Sequence, residues 1–210
     1  MSWQDAVNEL EDRRALVRRM GAPEKIERQH AAGKLTVRER IDRLLDAGSF
    51  REWGSTAGQA SYDEKGNLTD LQATGFIFGR GQINRRPVVV AGDDFTVRGG
   101  ASDGASMDKI TASEQMANEL RIPLIRLIDA GGGSIRTVEK LGRTYVPANP
   151  AWDWVTLNMT TVPVVSLVLG SVAGFASARA VASHYSVMVE GTSHMFIEIG
   201  RASCRERVSS

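Results

Sequence analysis

Cysteine is nearly absent from this 210-residue chain, where Cys204 is the only one. A disulfide framework and a zinc site built from several thiolates are thereby excluded, and no metal site is expected. Long apolar runs are missing too. The longest, around Val162–Gly170, is interrupted by Pro163 and Ser166, short of the roughly 18 residues that a membrane-crossing helix needs. The N-terminal MSWQDAVNELEDRR is polar and amphipathic and lacks the apolar core of a secretory signal. These absences predict a cytoplasmic protein without a membrane partner. Neither charge dominates: 26 Lys+Arg against 25 Asp+Glu leave +1 at pH 7, which disfavours a nucleic-acid partner. With 42% hydrophobic residues, the chain can still bury a core.

The lone cysteine sits in an unusual ending. Ile199–Val208 reads IGRASCRERV, the translation in one frame of ATC GGA AGA GCG TCG TGT AGG GAA AGA GTG, a short-read sequencing adapter. Native sequence is therefore expected to stop at about Glu198, with 199–210 of non-native origin. Dropping Ile199–Ser210 removes three arginines and one glutamate, moving the net charge from +1 to −1. It also removes the only cysteine, and with it any thiol nucleophile.

Residues 1–50 read as a helical N-terminal extension. Trp3, Val7, Leu10 and Val17 recur at helical spacing among Arg13, Arg14, Arg18 and Arg19; these arginines read as a solvated face paired with glutamates. A second helix is predicted over Glu24–Ala32. A third opens on a capping box, Thr36 with Glu39, carries a stripe of Val37, Ile41, Leu44 and Leu45, and ends at Gly48. Gly54–Asp70 lacks periodicity and reads as a loop. Residues 51–198 otherwise form one domain. TGFIFGRGQI and RPVVVAG are strands joined by Asn84-Arg85-Arg86, and a helix carries Met107, Ile110, Ala117 and Leu120. IPLIRLIDA, VPVVSLVLG and YSVMVEG are further strands, with a helix after SVAG. Strands alternating with helices predict an α/β layered core.

The backbone offers more chemistry than the side chains. Two strand ends run into small residues, Leu127–Gly133 and Val168–Gly174. Glycine permits close approach of a ligand to the main chain, and two amides aimed at one point can hold the oxyanion of a thioester enolate. No phosphate loop GxxxxGK[ST], dinucleotide motif GxGxxG or Gly-x-Ser-x-Gly elbow occurs. His30, His184 and His194 read as structural or surface histidines. Asp93, Asp94 and Asp103 read as solvated acids beside a turn.

The blocks ERQHAAGKLTVRERIDRLLDAGSF (Glu27–Phe50), RPVVVAGDDFTVRGGASDGASMDKI (Arg86–Ile110), VPVVSLVLGSVAG and GTSHMFIE resemble the N-terminal part of the carboxyltransferase (β) subunit of biotin-dependent acyl-CoA carboxylases, of the propionyl-CoA and methylcrotonyl-CoA type. The resemblance implies a crotonase/ClpP-like spiral of ββα units, incomplete at the C-terminus. It implies transfer of carboxylate from carboxybiotin, on a partner domain or subunit, to the α-carbon or vinylogous carbon of an acyl-CoA. Biotin itself, once it has released the carboxyl group, takes the α-proton, and the enolate so formed is what is carboxylated. The cofactors implied are biotin and coenzyme A; the partners are a biotin carboxylase/biotin carrier and further copies of the full-length subunit. Carried onto this chain, the oxyanion hole uses backbone amides of Gly132 or Gly133 and of Gly174. Arg98, Gly99, Gly100, Lys109 and Ala173 fall where the family lines its CoA site, the two cations facing CoA phosphates. Similar proteins read DSGGARI where this chain has DAGGGSI (Asp129–Ile135), and AGGAV where it has AGFAS, so Phe175 falls beside the hole. A biotin-dependent acyl-CoA decarboxylase, another crotonase-fold acyl-CoA enzyme and an inactive CoA-binding fragment are the alternatives. A hydratase is the weaker of these, because the helix after Gly174 offers no glutamate before Glu190. The 210 residues alone are expected to be inactive and, with an exposed strand edge, prone to aggregate.

Overall fold

The computed structural model describes residues 2–101, 104–132, 142 and 149–197. Three helices lead: α1 (Trp3–Arg18), α2 (Pro23–Ala31) and α3 (Val37–Leu44). The α3 start has the predicted capping box, with Thr36 and Glu39 exchanging side-chain and backbone hydrogen bonds. It stops at Leu44, short of Gly48, because Leu45 turns extended and drops its side chain into the core.

Strands β1 (Arg51–Trp53), β2 (Gly58–Tyr62), β3 (Leu68–Ala73), β4 (Phe76–Ile83) and β5 (Arg86–Asp93) follow. The expectation of a loop over Gly54–Asp70 is corrected here. β2 and β3 form an antiparallel ribbon in which only Leu71 is buried, so its residues show no alternation to read. The ribbon is held by its own ladder and by α1, where Arg13 donates to the Tyr62 hydroxyl at 3.2 Å. β4 and β5 make the predicted hairpin, Ile83 paired with Arg86. Asn84 and Arg85 both take positive φ (50° and 65°), the twist a two-residue hairpin loop requires.

From β5 onward the sheet is parallel. Helix α4 (Gly104–Leu120) leads to β6 (Leu124–Ile128); α5 (Ala151–Thr161) leads to β7 (Val164–Val168). A short strand β8 (Ser171–Ala173) and helix α6 (Phe175–Val181) precede β9 (Tyr185–Met188) and β10 (His194–Phe196). The main sheet runs β1-β4-β5-β6-β7-β9, while β8 and β10 pair in parallel as a second, small sheet. β7-β8-α6 is thus a ββα unit, and β9-β10 repeats its strands one step along.

Period-two alternation divides the core. Phe76, Phe78, Val89, Ala91, Leu124 and Val164 face α4 and α5. Ile77, Val88, Val90, Ile125 and Leu127 face Val37 and Ile41 of α3 and Leu45 just after it. Helix α3 is thus part of the core, not an appendage to it. No described helix is long and apolar enough to cross a membrane.

Candidate active site

The ends of β5, β6 and β7 converge as three glycine-bearing corners. After β5, the chain makes a 3-10 turn over Arg98–Gly100 in which all three residues have positive φ. Gly100 lies so close to the β6 corner that an added Cβ would stand 2.6 Å from the Asp129 carbonyl oxygen. The Gly131 amide donates to the Gly99 carbonyl at 2.9 Å. Gly132 follows with φ 94°, and a Cβ there would meet the Ala173 Cβ at 3.4 Å and its carbonyl oxygen at 3.6 Å. The Ala173 amide in turn donates to the Ala130 carbonyl. Arg98, Gly99, Gly100, Gly132, Ala173 and Gly174 are therefore brought to one place. Among the described residues the Gly132 amide has no acceptor, and the space above Gly174 is open.

Three expectations change on inspection. Gly174 adopts φ 63°, but its amide is already engaged, donating to the carbonyls of Phe196 (3.3 Å) and Ile197 (3.1 Å). Lys109 stands elsewhere. It is only 7% exposed, beneath the β3–β4 junction, where its ammonium donates to Thr74 Oγ1 at 3.3 Å. Burial, reinforced by the Arg38 charge and opposed by Glu52, pushes it down to about 8. Asp93 and Asp94 are buried, not solvated. Asp93 pairs with Arg179 at 3.0 Å, and Asp94 accepts from the Thr96 amide and hydroxyl. Burial raises both carboxyls above the usual carboxylate range. Gly133, Asp103 and the tail 199–210 lie outside the described residues.

The histidines are structural or at the surface, as expected. His184 Nδ1 accepts the Val164 amide, and His30 pairs with Glu39 at 3.0 Å on the surface. Phe175 sits beside the corner, edge-on to Trp152 with ring centroids 5.9 Å apart. Sequence reasoning missed the charged residues that brace the corners. Asp129 is wholly buried and accepts from Gln29 Nε2 (3.1 Å), Lys34 Nζ (3.3 Å) and Arg40 Nη2 (2.8 Å). Nothing in local spacing joins residues about a hundred positions apart. Among the described residues no group of three or more His, Cys, Asp or Glu could hold a metal.

Residues 28–201 match the Carboxyl transferase domain. The chain belongs to that family. This chain is 34% identical over 198 residues to the propionyl-CoA carboxylase carboxyltransferase subunit of Haloferax mediterranei, covering 94% of its own length and 38% of that protein. It is 36% identical to the mitochondrial propionyl-CoA carboxylase beta chain of Homo sapiens, covering 93% and 36%. The chain thus spans well under half the length of the curated relatives it matches. Among solved structures, transcarboxylase 12S, described as a hexamer with methylmalonyl-coenzyme A and methylmalonic acid bound, superposes with TM-score 0.77 at 26% identity. The match covers all of this chain and 40% of that one. The geranyl-CoA carboxylase beta subunit of P. aeruginosa gives TM-score 0.66 at 25% identity, covering 93% and 35%. The fold of this chain is that of the crotonase-type carboxyltransferases.

Proposed function

We propose that this chain forms the acyl-CoA half of a carboxyltransferase site, in which an acyl-CoA loses a proton from its α-carbon (or vinylogous carbon) and the resulting enolate is carboxylated. The observation that carries this reading is the Gly132 corner: an amide without an acceptor among the described residues, on a backbone lacking Cβ, lodged against Ala173 beside the space that those residues leave open over Gly174. An amide fixed by the fold stabilises negative charge developing on a thioester oxygen without reorganising during the reaction. Gly132 holds the enolate oxygen. The Gly174 amide joins it by exchanging the carbonyls of Phe196 and Ile197 for that oxygen. Arg98, on the turn stacked against Asp129–Gly131, contributes positive charge toward the CoA phosphates, with Gly99, Gly100 and Ala173 giving the ligand close approach. Lys109 takes no part.

Carboxybiotin, delivered by a partner domain or subunit, supplies the carboxyl group. The glycine corner fits an acyl thioester, and no step here is assigned to biotin. Phe175 flanks the corner where similar proteins read glycine, and Trp152 packs edge-on against it, which bears on the acyl group accepted. The full-length subunit is read as a homo-oligomer working with a biotin carrier.

The test is an assay of the full-length subunit, with its biotinylated partner, for carboxylate transfer across a panel of acyl-CoAs. Transfer to at least one supports the reading and names the acyl group. A folded, complete protein inactive in transfer with every acyl-CoA refutes it. The 210-residue chain alone is expected to give no product in the same assay.

A further inference from the structure

The segment Gln29–Arg40 touches all three glycine-bearing corners, and it does so through buried polar groups. Lys34 donates to both Asp129 carboxylate oxygens (3.4 and 3.3 Å), and its ammonium stands 4.4 Å from the centre of the Phe95 ring. Phe95 in turn lies against Gly99, where an added Cβ would meet the ring at 3.9 Å. Arg40 Nη2 donates to Asp129 at 2.8 Å and to the Leu169 carbonyl at 3.2 Å, tying the end of β6 to the end of β7 through one guanidinium. Gln29 adds a third donor to Asp129 and anchors its own helix by donating to the Leu35 carbonyl. Asp129 fills its site so fully that a Cβ on Gly170 would stand 2.1 Å from Oδ1. Just upstream, Gly21 is pressed onto the β5 corner, its amide donating to Thr96 Oγ1 at 3.1 Å.

A buried carboxylate with cationic partners is a poor way to gain stability, because desolvation of each ion offsets most of their attraction. It is a good way to set position. The bonds are charge-assisted and directional, and Asp129 lies three residues before the amide that is to face the substrate.

We propose that Asp129, Lys34 and Arg40 are positioning residues: the N-terminal helices hold the corners at 95–100, 129–132 and 169–174 in register so that the Gly132 amide is correctly aimed. This rests on the acyl-CoA reading given above. Loosening the clamp lets the turn after Asp129 drift from its left-handed geometry. Displacements near 1 Å cost on the order of a hundredfold in rate, while most contacts to the nucleotide end of a CoA stay untouched.

The experiment pairs kinetics on the complete subunit and its biotinylated partner with hydrogen exchange on the 210-residue chain. Lys34→Met and Arg40→Lys should each lower kcat by about ten- to hundredfold while KM for acyl-CoA changes little, the pattern of a contact felt only in the transition state. Lys34→Arg should recover most of the loss. Exchange at amides 130–132 should quicken in Lys34→Met. If Arg40→Lys fails to fold, Lys34→Met, altered at a partly exposed ammonium, carries the test. A merely structural pair would lower Tm yet leave kcat per folded enzyme and exchange at 130–132 at wild-type values, and that result overturns the proposal. Should the wild-type enzyme transfer carboxylate to no acyl-CoA, the function reading fails by itself. Exchange then decides the clamp: quickened exchange upholds it, and unchanged exchange overturns it.

Discussion

The two faces of the main sheet bury apolar side chains of the same kind but are closed to different degrees. The face under α4, α5 and α6 is shut, and its polar groups are matched to one another. Arg126 forks onto Glu114 with two 2.8 Å bonds and donates to the carbonyls of Arg179 and Ala182, while Asn158 Nδ2 donates to Glu114. The opposite face has α3 as its cover. Following the register across β6, β7 and β9, Ile125 lies beside Val165 and then Tyr185, and Leu127 beside Leu167 and then Val187. Along the first row exposure climbs from 9% at Ile125 to 65% at Tyr185. One helix shields about two strands' width. The apolar pattern of β9 is therefore that of a buried strand set where the described residues give it no cover, which is the aggregation hazard expected from sequence.

The comparison can be broken most sharply on the closed face. Glu114→Ala leaves the Arg126 guanidinium buried and unpaired, and should destabilise the chain by about 3–5 kcal/mol in urea unfolding. Ile41→Ala, in the cover of the other face, should cost about 2–4 kcal/mol by the same measurement. A clearly larger loss than for Glu114→Ala would reverse the ranking of the faces.

Lys109 sharpens the contrast through pH. Its ammonium is buried against Thr74 rather than a carboxylate, and its pKa falls from 10.5 to about 8. Below pH 8 both folded and unfolded states hold the proton, and the folded state bears the desolvation cost. Between about 8 and 10.5 the unfolded state holds more protons, so Lys109 makes stability rise with pH, by up to about 3 kcal/mol. Lys109→Met should remove that rise and raise Tm at pH 7; unfolding curves from pH 7 to 10.5 check both.

At the surface the effects shrink. Glu39 is held down to about 2, first by His30 and then by the Thr36 amide. Its contribution is present above pH 4.5 and is lost as pH falls toward 2. Glu39→Gln should cost about 1 kcal/mol at pH 7, discounted for its exposure, and the difference from wild type should fade over that acid range. The smallest effect belongs to the open face, where Val187→Lys should change stability by less than about 0.5 kcal/mol while reducing light scattering by the 210-residue chain. A large loss of stability there would mean that the face is covered after all.

The local features were legible in the sequence. The capping box at Thr36, the Asn84-Arg85 turn, the period-two strands and the small-residue strand ends each depend on neighbours a few positions apart, and each appears where expected. The β2–β3 ribbon was illegible because its strands bury almost nothing and so carry no alternation. Lys109 and Asp93-Asp94 were misjudged for a different reason. Charge predicts exposure only on average, and these residues lie on inward faces that the chain closes from far away. Sequence by itself determined the helices and the apolar, alternating strands, the family resemblance and the glycines on which a backbone site depends, since these follow from short-range sterics and residue pattern. Only the tertiary structure decided that the Gly174 amide is occupied by the carbonyls of Phe196 and Ile197, and that Gln29, Lys34 and Arg40 reach Asp129. The contacts to Asp129 join residues 89 to 100 positions apart, for which no local pattern exists.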